Sequence, residues 1–326
     1  MKLLIKLANS ALTILFMSVL SLSSHAEPLA KRFAPEAISL DDKVTLSPAF
    51  TPDGQTAYFT RADCALIWEC PQLLYRSDFI EGQWQDAKRV SDLGNYRVDW
   101  PSVSPDGRTL IFSWTAPRDI YEGLDIIENF DLYTLDLTLT GSVPSPLEGA
   151  DINRPRSGRL KTRRAFHVQS AGTLTKSGDL YFWDEREDAI GERDVFVARN
   201  NGKGGYQKAE ALPAPINSSG RDQLSWINPS GTVMLLAYPD RGGEGNDDIF
   251  ISRFKDQEWS VPENLGPLVN SSSYDGAARF TPDGSAIVFT STRAFEGQSE
   301  GLLQVWQVPT APLLENGTLR ESDLRQ

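Results

Sequence analysis

Three aspartates occupy comparable places in the sequence, each close to the start of a short apolar segment with the composition of a β-strand. They are Asp99, Asp222 and Asp275, with Tyr274 next to the last of them and His167 near the start of a fourth such segment. Two carboxylates held across a cleft can hydrolyse a glycosidic bond, one as proton donor and the other as base or nucleophile. The same aspartates would also suit hydrogen bonds to the backbone of neighbouring strands. The sequence leaves both interpretations open, a polar ligand pocket lined by these five residues and a structural role.

The motifs of most other hydrolases are absent from the sequence. It contains no Gly-x-Ser-x-Gly, no His-Glu-x-x-His and no phosphate-binding loop. His167 is the one histidine beyond residue 26, and spacing identifies no partner for it. Lyases that hold a metal through several histidines are therefore excluded, and we expect neither a metal nor a cofactor. The polar turn 242–248 offers oxygen ligands but matches no calcium-binding loop.

Positive charge is concentrated in one segment of the chain. Six cations lie within eleven residues: Arg154, Arg156, Arg159, Lys161, Arg163 and Arg164. The planar guanidinium group binds carboxylate and phosphate through two hydrogen bonds, so the run suits an anionic ligand or partner. An acidic stretch, 119–131, precedes it and would equally neutralise a solvated loop. We expect five of these residues to take part in binding: Arg156, Arg159, Lys161, Arg163 and Arg164.

Both cysteines of the chain lie six residues apart, at Cys64 and Cys70. In an oxidising compartment such a pair is expected to form a local disulfide bond. We predict a bridge that clamps one loop and has no redox role.

A repeat must position all of these residues. Five segments share one frame, and their glycines are 53, 71, 53 and 53 residues apart: Gly54, Gly107, Gly178, Gly231 and Gly284. An apolar residue lies four positions before each glycine and another five positions after it. The glycine ends a Pro-Asp-Gly turn in three of the five segments. Proline presets the first turn position, and glycine adopts the left-handed conformation that leads into a return strand. The frame predicts five β-hairpins.

Each hairpin is followed by a third strand-like segment and usually by a fourth, opened by an aromatic residue at Trp84, Tyr206 and Trp259. Four antiparallel strands per unit of this length are typical of a β-propeller blade, so the predicted fold class is all-β. Five units fill residues 33–309, which favours five blades, with six blades as the alternative. The segment Pro35–Lys43 has no hairpin of its own and would complete the last blade, closing the ring.

The repeat also resembles a known family. The segment Asp247–Arg293 reads DDIFISRFKDQEWSVPENLGPLVNSSSYDGAARFTPDGSAIVFTSTR. It is similar to the TolB-like Pro-Asp-Gly (WD40-like, PD40) propeller repeats of bacterial envelope proteins. This resemblance covers residues 27–326 and implies an exported propeller used for protein or ligand binding. TolB itself has a further N-terminal domain, for which this chain has no room, so the partners of TolB are not carried over.

Residues 1–26 have the features of a secretory signal peptide. Lys2 and Lys6 precede an apolar stretch, Ala11–Leu22, and Ser24 and Ala26 occupy the −3 and −1 positions of a cleavage site. No cysteine for lipid attachment stands at this site, and no second long apolar run follows. We therefore expect a periplasmic or secreted protein without a membrane span.

Charge narrows the range of partners. Cleavage after Ala26 removes two lysines and no acidic residue, so the net charge of −12 becomes −14. A protein of this charge is not a general nucleic-acid binder, because phosphate contacts need an excess of Lys and Arg.

These observations predict a monomeric propeller over residues 27–326 with an insertion at about 115–168. Since no catalytic constellation is recognisable, we expect a non-catalytic module that binds an envelope protein or an anionic small molecule or glycan. The alternative is a carboxylate-dependent glycoside hydrolase on a five-bladed propeller, using Asp99, Asp222 and Asp275.

Overall fold

Antiparallel β-strands make up nearly all of the regular structure of this chain. The computed structural model describes residues 29–64, 69–90, 93–118, 128–153, 166–186, 188–239, 241–295, 297 and 301–324. These ranges also contain a short helix, α1 (Ala311–Glu315), and a 3₁₀ turn, Glu321–Leu324. None of the helices they contain is long and apolar enough to cross a membrane.

The strands follow the five sequence repeats, preceded by β1 (Lys31–Arg32). The first repeat contains β2 (Val44–Phe50), β3 (Thr56–Ala62), β4 (Leu73–Ile80), β5 (Gln83–Trp84) and β6 (Lys88–Arg89). The second contains β7 (Val98–Val103), β8 (Thr109–Trp114), β9 (Glu128–Asp136) and β10 (Ser145–Pro146). The third contains β11 (Phe166–Leu174), β12 (Leu180–Asp184), β13 (Asp194–Ala198) and β14 (Glu210–Ala211). The fourth contains β15 (Gln223–Ile227), β16 (Val233–Tyr238), β17 (Asp248–Lys255), β18 (Glu258–Trp259) and β19 (Glu263–Asn264). The fifth contains β20 (Asp275–Phe280), β21 (Ala286–Ser291) and β22 (Gln304–Pro309).

The predicted hairpin turns connect the first and second strands of the repeats. All five repeat glycines have positive φ, between 70° and 83°. In the first repeat the Gly54 N–H donates to the Thr51 carbonyl at 2.8 Å, and the Asp53 carboxylate accepts from the Thr51 hydroxyl at 2.6 Å. The glycine therefore supplies a left-handed backbone, and the aspartate fixes the turn around it.

The second strand of each repeat is covered on both faces by the neighbouring repeats, and its sequence is correspondingly rich in apolar residues. Every residue of β12, β16 and β21 is buried. Strands covered on both faces are apolar along their whole length instead of alternating with polar residues. The core is accordingly divided among the spaces between successive repeats.

Successive repeats are joined by backbone bonds that close a ring. At four of the five junctions, an N–H at the start of one repeat's first strand donates to a carbonyl just before the third strand of the neighbouring repeat. The four bonds, each 2.9 Å long, run from Val98 to Gln72, Asp222 to Arg193, Asp275 to Asp247 and Thr45 to Leu303. At the remaining junction β11 pairs in parallel with β9. The Thr45 bond joins the first repeat to the fifth, and β2, β7, β11, β15 and β20 pack around a central channel. The fold is a β-propeller.

The N-terminal segment completes the fifth repeat by a shorter contact than the sequence predicted. Pairing is made by β1, with Lys31 opposite Gln307 and Arg32 opposite Trp306 of β22. Pro35–Lys43, the expected strand, instead contains turns. Since the outer edge of the fifth repeat is covered by β1, that edge is not open for further strand pairing.

The outermost strand is also shorter than predicted. Trp84 and Trp259 do begin the return, but β5 and β18 contain two residues each, and a second short piece, β6 or β19, continues the edge. Short, interrupted edge strands are poor templates for pairing with other molecules.

The predicted disulfide bond is confirmed. Cys64 and Cys70 are bridged, with their Cα atoms 6.2 Å apart, in the connection between β3 and β4. Both cysteines pack against a small apolar cluster that includes Val44, Leu46 and Leu303. The bridge therefore clamps one connection beside the start of β2.

Candidate active site

All first strands begin at the same end of the central channel, here called the upper mouth. The Pro-Asp-Gly turns lie at the other end, the lower mouth. A register shift interrupts the pairing of each first strand, as between Asp99 and Ser102 in β7. Trp100 at this bulge has a φ of 47°, and Ser47, Ala171 and Ala277 of other first strands are also at positive φ. Bulges of this kind redirect side chains beside functional sites.

The three predicted aspartates are not equivalent in this frame. Asp222 and Asp275 stand nine residues before their repeat glycines, whereas Asp99 stands eight before Gly107. Successive side chains of a strand point to opposite faces, so an offset of one residue changes the surroundings completely. This offset is visible in the sequence, and it contradicts the prediction that the three aspartates occupy comparable places.

Asp222 and Asp275 are occupied by structural hydrogen bonds. The Asp222 carboxylate accepts from the Ser218 N–H at 2.5 Å and from Arg241 at 3.1 Å. Asp275 accepts from the Ser271 N–H at 2.6 Å and from Arg293 at 2.5 Å. Both carboxylates are buried. They hold the loop that enters their own strand, which is the structural role that the sequence had left open.

An arginine lies at the end of, or just after, the second strand of each of the five repeats: Arg61, Arg118, Arg186, Arg241 and Arg293. Their guanidinium groups donate to carbonyls of the loop that enters the first strand: Arg61 to Ala37 and Ile38, Arg186 to Asp151, Arg241 to Pro215 and Ile216, and Arg293 to Val269. The sequence pattern, an arginine near the end of each second strand and an aspartate near the start of three of the following strands, predicts ion pairs of these arginines with Asp131, Asp194 and Asp248. That pairing holds for Arg118 and Asp131, at 2.6 Å. Asp194 and Asp248 instead accept from N–H groups of their own preceding loops.

Asp99 lies in different surroundings. Its side chain is partly exposed at the upper mouth, and one of its oxygens accepts from the Trp100 N–H at 3.0 Å. Burial raises the pKa of this carboxyl to about 7, against the opposing effects of that hydrogen bond and of the charges on Arg97 and Arg193. Near neutral pH, Asp99 therefore holds its proton in a substantial fraction of molecules.

Arg193 reaches the mouth from the third repeat. Its guanidinium group donates to Glu185 Oε1 through Nε, at 3.1 Å, and through Nη2, at 2.5 Å. A third bond, from Nη1 to Gln223 Oε1, connects the third repeat to the fourth. The group also stacks over Trp183, 4.0 Å from the ring centroid. Cation–π contact and three hydrogen bonds fix the orientation of this cation beside Asp99.

Tyr274 brings the fifth repeat into the same group. A Cβ atom added to Gly276 would lie 2.5 Å from the Tyr274 hydroxyl, so the ring occupies the space that a side chain at 276 would take. Gly276 stands eight residues before Gly284 and is the frame equivalent of Asp99. Burial raises the pKa of Tyr274, as do the charges on Asp247 and Asp99, while a hydrogen bond with Gln223 lowers it.

Six residues thus form what we call the mouth cluster: Asp99, Glu185, Arg193, Gln223, Asp247 and Tyr274. They come from the second, third, fourth and fifth repeats. Of the sequence-predicted residues, the structure brings together Asp99 and Tyr274 and leaves Asp222 and Asp275 in structural bonds. Glu185, Arg193, Gln223 and Asp247 were missed, although Gln223 stands at the frame position of Asp99 and is polar.

The remaining predicted residues are located only in part. His167 lies in β11, with its backbone opposite Asn129 of β9. The basic run Arg156, Arg159, Lys161, Arg163 and Arg164 lies outside the described residues. Among the residues that are described, no group of three or more His, Cys, Asp or Glu side chains is arranged to hold a metal ion.

The arrangement of the mouth cluster suits acid–base chemistry on a polar substrate. It combines a carboxyl group that is protonated near neutral pH, further carboxylates, a fixed cation and a phenol. A proton donor with a pKa near the working pH, together with an ionised carboxylate, is what hydrolysis of a glycosidic bond requires.

No protein-family model and none of the curated proteins matches the sequence. The fold is similar to that of a solved family 117 glycoside hydrolase from the marine bacterium Zobellia galactanivorans, with 12% identity and a TM-score of 0.50, over 86% of this chain and 89% of that one. An α-L-arabinofuranosidase from Lactobacillus brevis has 12% identity and a TM-score of 0.47, over 85% and 93% of the two chains. A periplasmic gluconolactonase of Pseudomonas aeruginosa has 15% identity and a TM-score of 0.41, over 80% and 70%.

These comparisons correct the functional prediction made from the sequence. The similar structure with a TM-score of 0.50 is that of a glycoside hydrolase. The expectation of a non-catalytic binding module is therefore wrong, and its alternative, a carboxylate-dependent hydrolase, is favoured. The resemblance to TolB-like repeats in particular gains no support. Because 12% identity shows a shared fold and nothing more, the activity must be argued from this chain's own residues.

Proposed function

We propose that this chain is a glycoside hydrolase built on a five-bladed propeller, with its reaction centre in the mouth cluster. The observation that supports this most strongly is Asp99, a carboxyl group with a pKa of about 7 at the open end of the channel. The other two predicted aspartates, Asp222 and Asp275, are bonded to arginines. The five-blade count rests on the ring of inter-repeat bonds, to which each of the five repeats contributes one first strand.

Asp99 is the proposed general acid. Cleavage of a glycosidic bond leaves an alkoxide. Protonation of that oxygen as the bond breaks accelerates the reaction, typically by 10²–10⁴-fold. Asp99 carries the proton because its surroundings disfavour the charged form. The nearby charges of Arg97 and Arg193 keep its pKa from rising further, so the proton remains transferable.

Asp247 is the proposed second carboxylate. It precedes the third strand of its repeat, as Arg193 does in the repeat before, and the charges on Asp247 and Asp99 both act on the Tyr274 hydroxyl. The two carboxyl groups thus lie near the same phenol. In this position Asp247 would stabilise the positive charge that develops on the sugar ring, as nucleophile or as base for water.

Glu185, Arg193 and Gln223 are the proposed positioning residues. Arg193 is held by hydrogen bonds to both of the others and by the Trp183 ring. A cation held rigidly beside Asp99 sets the balance between its two protonation states.

The substrate is proposed to be an anionic glycan outside the cytoplasm, hydrolysed by a monomeric enzyme. Support comes from the basic run 154–164, from residues 1–26 with their signal-peptide features, and from the disulfide bond, which is typical of exported proteins. N-terminal sequencing of the protein from the periplasm should begin at Glu27.

Aryl glycosides of graded leaving-group ability test the proposal. The protein is assayed against neutral and uronic-acid aryl glycosides, and Asp99→Asn and Asp247→Asn are compared with the unmodified protein. Asp99→Asn should lose at least about 10²-fold in kcat on a poor leaving group and little on dinitrophenolate, which leaves without protonation. Asp247→Asn should lose activity on both substrates.

Asp106→Asn, in the lower hairpin of the same repeat, is the matched control and should retain full activity. If the unmodified protein hydrolyses none of the substrates, or if Asp99→Asn loses activity equally on both leaving groups, the assignment of the general acid is wrong.

A further inference from the structure

The lower mouth of the channel contains a cavity of about 220 Å³ that the proposed reaction does not use. Eight of the residues that line it are apolar: Phe50, Val103, Trp226, Phe280, Pro52, Pro105, Pro229 and Pro282. Lys176 and Arg279 add two cations to the lining, and neither Asp nor Glu is among the described residues that line it. The cavity therefore combines an apolar wall with positive charge.

Arg279 is the unusual member of this lining. The residue is 5% exposed, in β20. Its Nη2 group donates across the channel to the Pro101 carbonyl at 3.1 Å, and its buried Nε–H has no hydrogen-bond partner. Burial lowers the pKa of Arg279 to about 9, with no contribution from a carboxylate. Two other buried arginines, Arg186 and Arg253, each pair with an aspartate. A third, Arg61, donates to two carbonyls and stacks over two aromatic rings, whereas Arg279 has a single carbonyl acceptor.

The propeller fold itself does not need a cation at this place. Arg279 stands five residues before its repeat glycine, and the equivalent residues are Ala49, Ser102, Thr173 and Trp226. A buried charge without a counter-ion destabilises the folded state, and buried charges in proteins are ordinarily paired. A negative group supplied by a ligand would complete the coordination of this guanidinium group.

We propose that the lower mouth is a binding site for the carboxylate of a small organic acid, with Arg279 as its anchor. A carboxylate matches the two-pronged geometry of a guanidinium group. The aromatic and proline walls favour a ring or another apolar body attached to it. A volume of 220 Å³ is below the range of about 300–1,000 Å³ that holds drug-sized ligands, so the acid is small.

Benzoate and its neutral counterpart benzamide test this site in the unmodified protein. Binding is measured by titration calorimetry and by the fluorescence of the tryptophans, one of which, Trp226, lines the cavity. Benzoate should bind in a saturable manner and raise the Tm by several degrees, and benzamide should do neither at the same concentration. Equal effects of the two compounds, or no binding of benzoate, would overturn the proposal.

Variants locate the site and separate it from the upper mouth. Arg279→Met should weaken benzoate binding at least 10-fold, whereas Arg193→Gln should leave it unchanged. The reverse pattern would place benzoate at the upper mouth and refute the site. Chloride and phosphate at matched ionic strength should not raise the Tm, and a saturable response to either would assign the cavity to an inorganic anion instead. If Arg279→Met does not fold, the benzoate and benzamide titrations with the unmodified protein still decide the question.

Discussion

Asp99 differs from Asp222 and Asp275 by one position in the repeat, and this separates two kinds of residue in the molecule. Asp222 and Asp275 recur at the same frame position and are bonded in the same way, to a serine N–H and to an arginine. Asp99 departs from the frame and lies at the channel mouth with a raised pKa. In a repeated scaffold, a residue that recurs at one frame position has a duty that those repeats share. Residues that break the repeat are free to serve a single site.

The largest expected difference is in stability, between Asp222→Ala and Asp99→Asn. Removal of the buried Asp222 carboxylate takes the acceptor from the partly buried Ser218 N–H and the ion-pair partner from Arg241, which should cost about 3–5 kcal/mol in the free energy of unfolding. Asp99→Asn removes no ion pair and should cost less than about 1 kcal/mol at pH 7. Urea unfolding of the two variants measures both values.

Asp275→Ala is the matched control for this comparison, because its carboxylate has the same set of partners as Asp222. Its loss of stability should equal that of Asp222→Ala. Comparable losses for all three variants would mean that Asp99 is also structural, and the proposed division would fail.

A second difference concerns pH. The folded pKa of Asp99, about 7, lies above the ordinary value of 3.8, so the folded state favours the protonated form. Its contribution to stability is complete below pH 3.8 and is lost as the pH rises through 7, by no more than about 4 kcal/mol in total. Relative to the unmodified protein, Asp99→Asn should therefore gain in Tm from pH 4 to pH 8.

The pH dependence of the activity should report the same Asp99 carboxyl group. A general acid must be protonated, so kcat on a poor leaving group should fall above about pH 7. An activity that stays constant up to pH 9 would exclude Asp99 as the donor. Differential scanning calorimetry and initial-rate profiles over the same buffers provide the two measurements.

The repeat allowed much of the fold to be predicted from the sequence, and little of the site. Hairpins, turn glycines and the disulfide bond depend on residues near one another in the chain, where spacing is informative. The bond between Arg193 and Gln223 is not of this kind, since Gln223 lies 30 residues away in the next repeat. The arginine near the end of each second strand was predicted to pair with an acid but bonds mostly to carbonyls of the loop that connects its repeat to the preceding one. Contacts between repeats depend on how the ring closes, which local patterns do not encode.

The first repeat offers a third comparison, because its contribution to the upper mouth is apolar. Leu46 stands at the frame position of Asp99 and packs near the Cys64–Cys70 bridge. Closing a loop of about seven residues should stabilise the fold by about 2 kcal/mol through the entropy of the unfolded chain. The double variant Cys64→Ala, Cys70→Ala should lose this amount in urea unfolding and should retain its activity. Loss of activity with unchanged stability would instead make the bridge part of the reaction centre.

The smallest expected effect is at the lower hairpin of the repeat that carries Asp99. Asp106 is exposed, and its carboxylate accepts from the Ser104 hydroxyl at 2.5 Å and from the Arg108 N–H at 3.1 Å. These bonds lower the pKa of Asp106 in the folded protein. The stability that they provide is therefore present above about pH 3.8 and is lost as the pH falls through this lowered pKa. Asp106→Ala should cost about 1 kcal/mol at pH 7, since a turn bond in contact with water contributes little. This cost should shrink between pH 5 and pH 2, whereas the effect of Asp99→Asn should grow from pH 4 to pH 8. Two aspartates of one hairpin would then respond to pH in opposite senses, one because it is dehydrated at the mouth and the other because hydrogen bonds stabilise its charge.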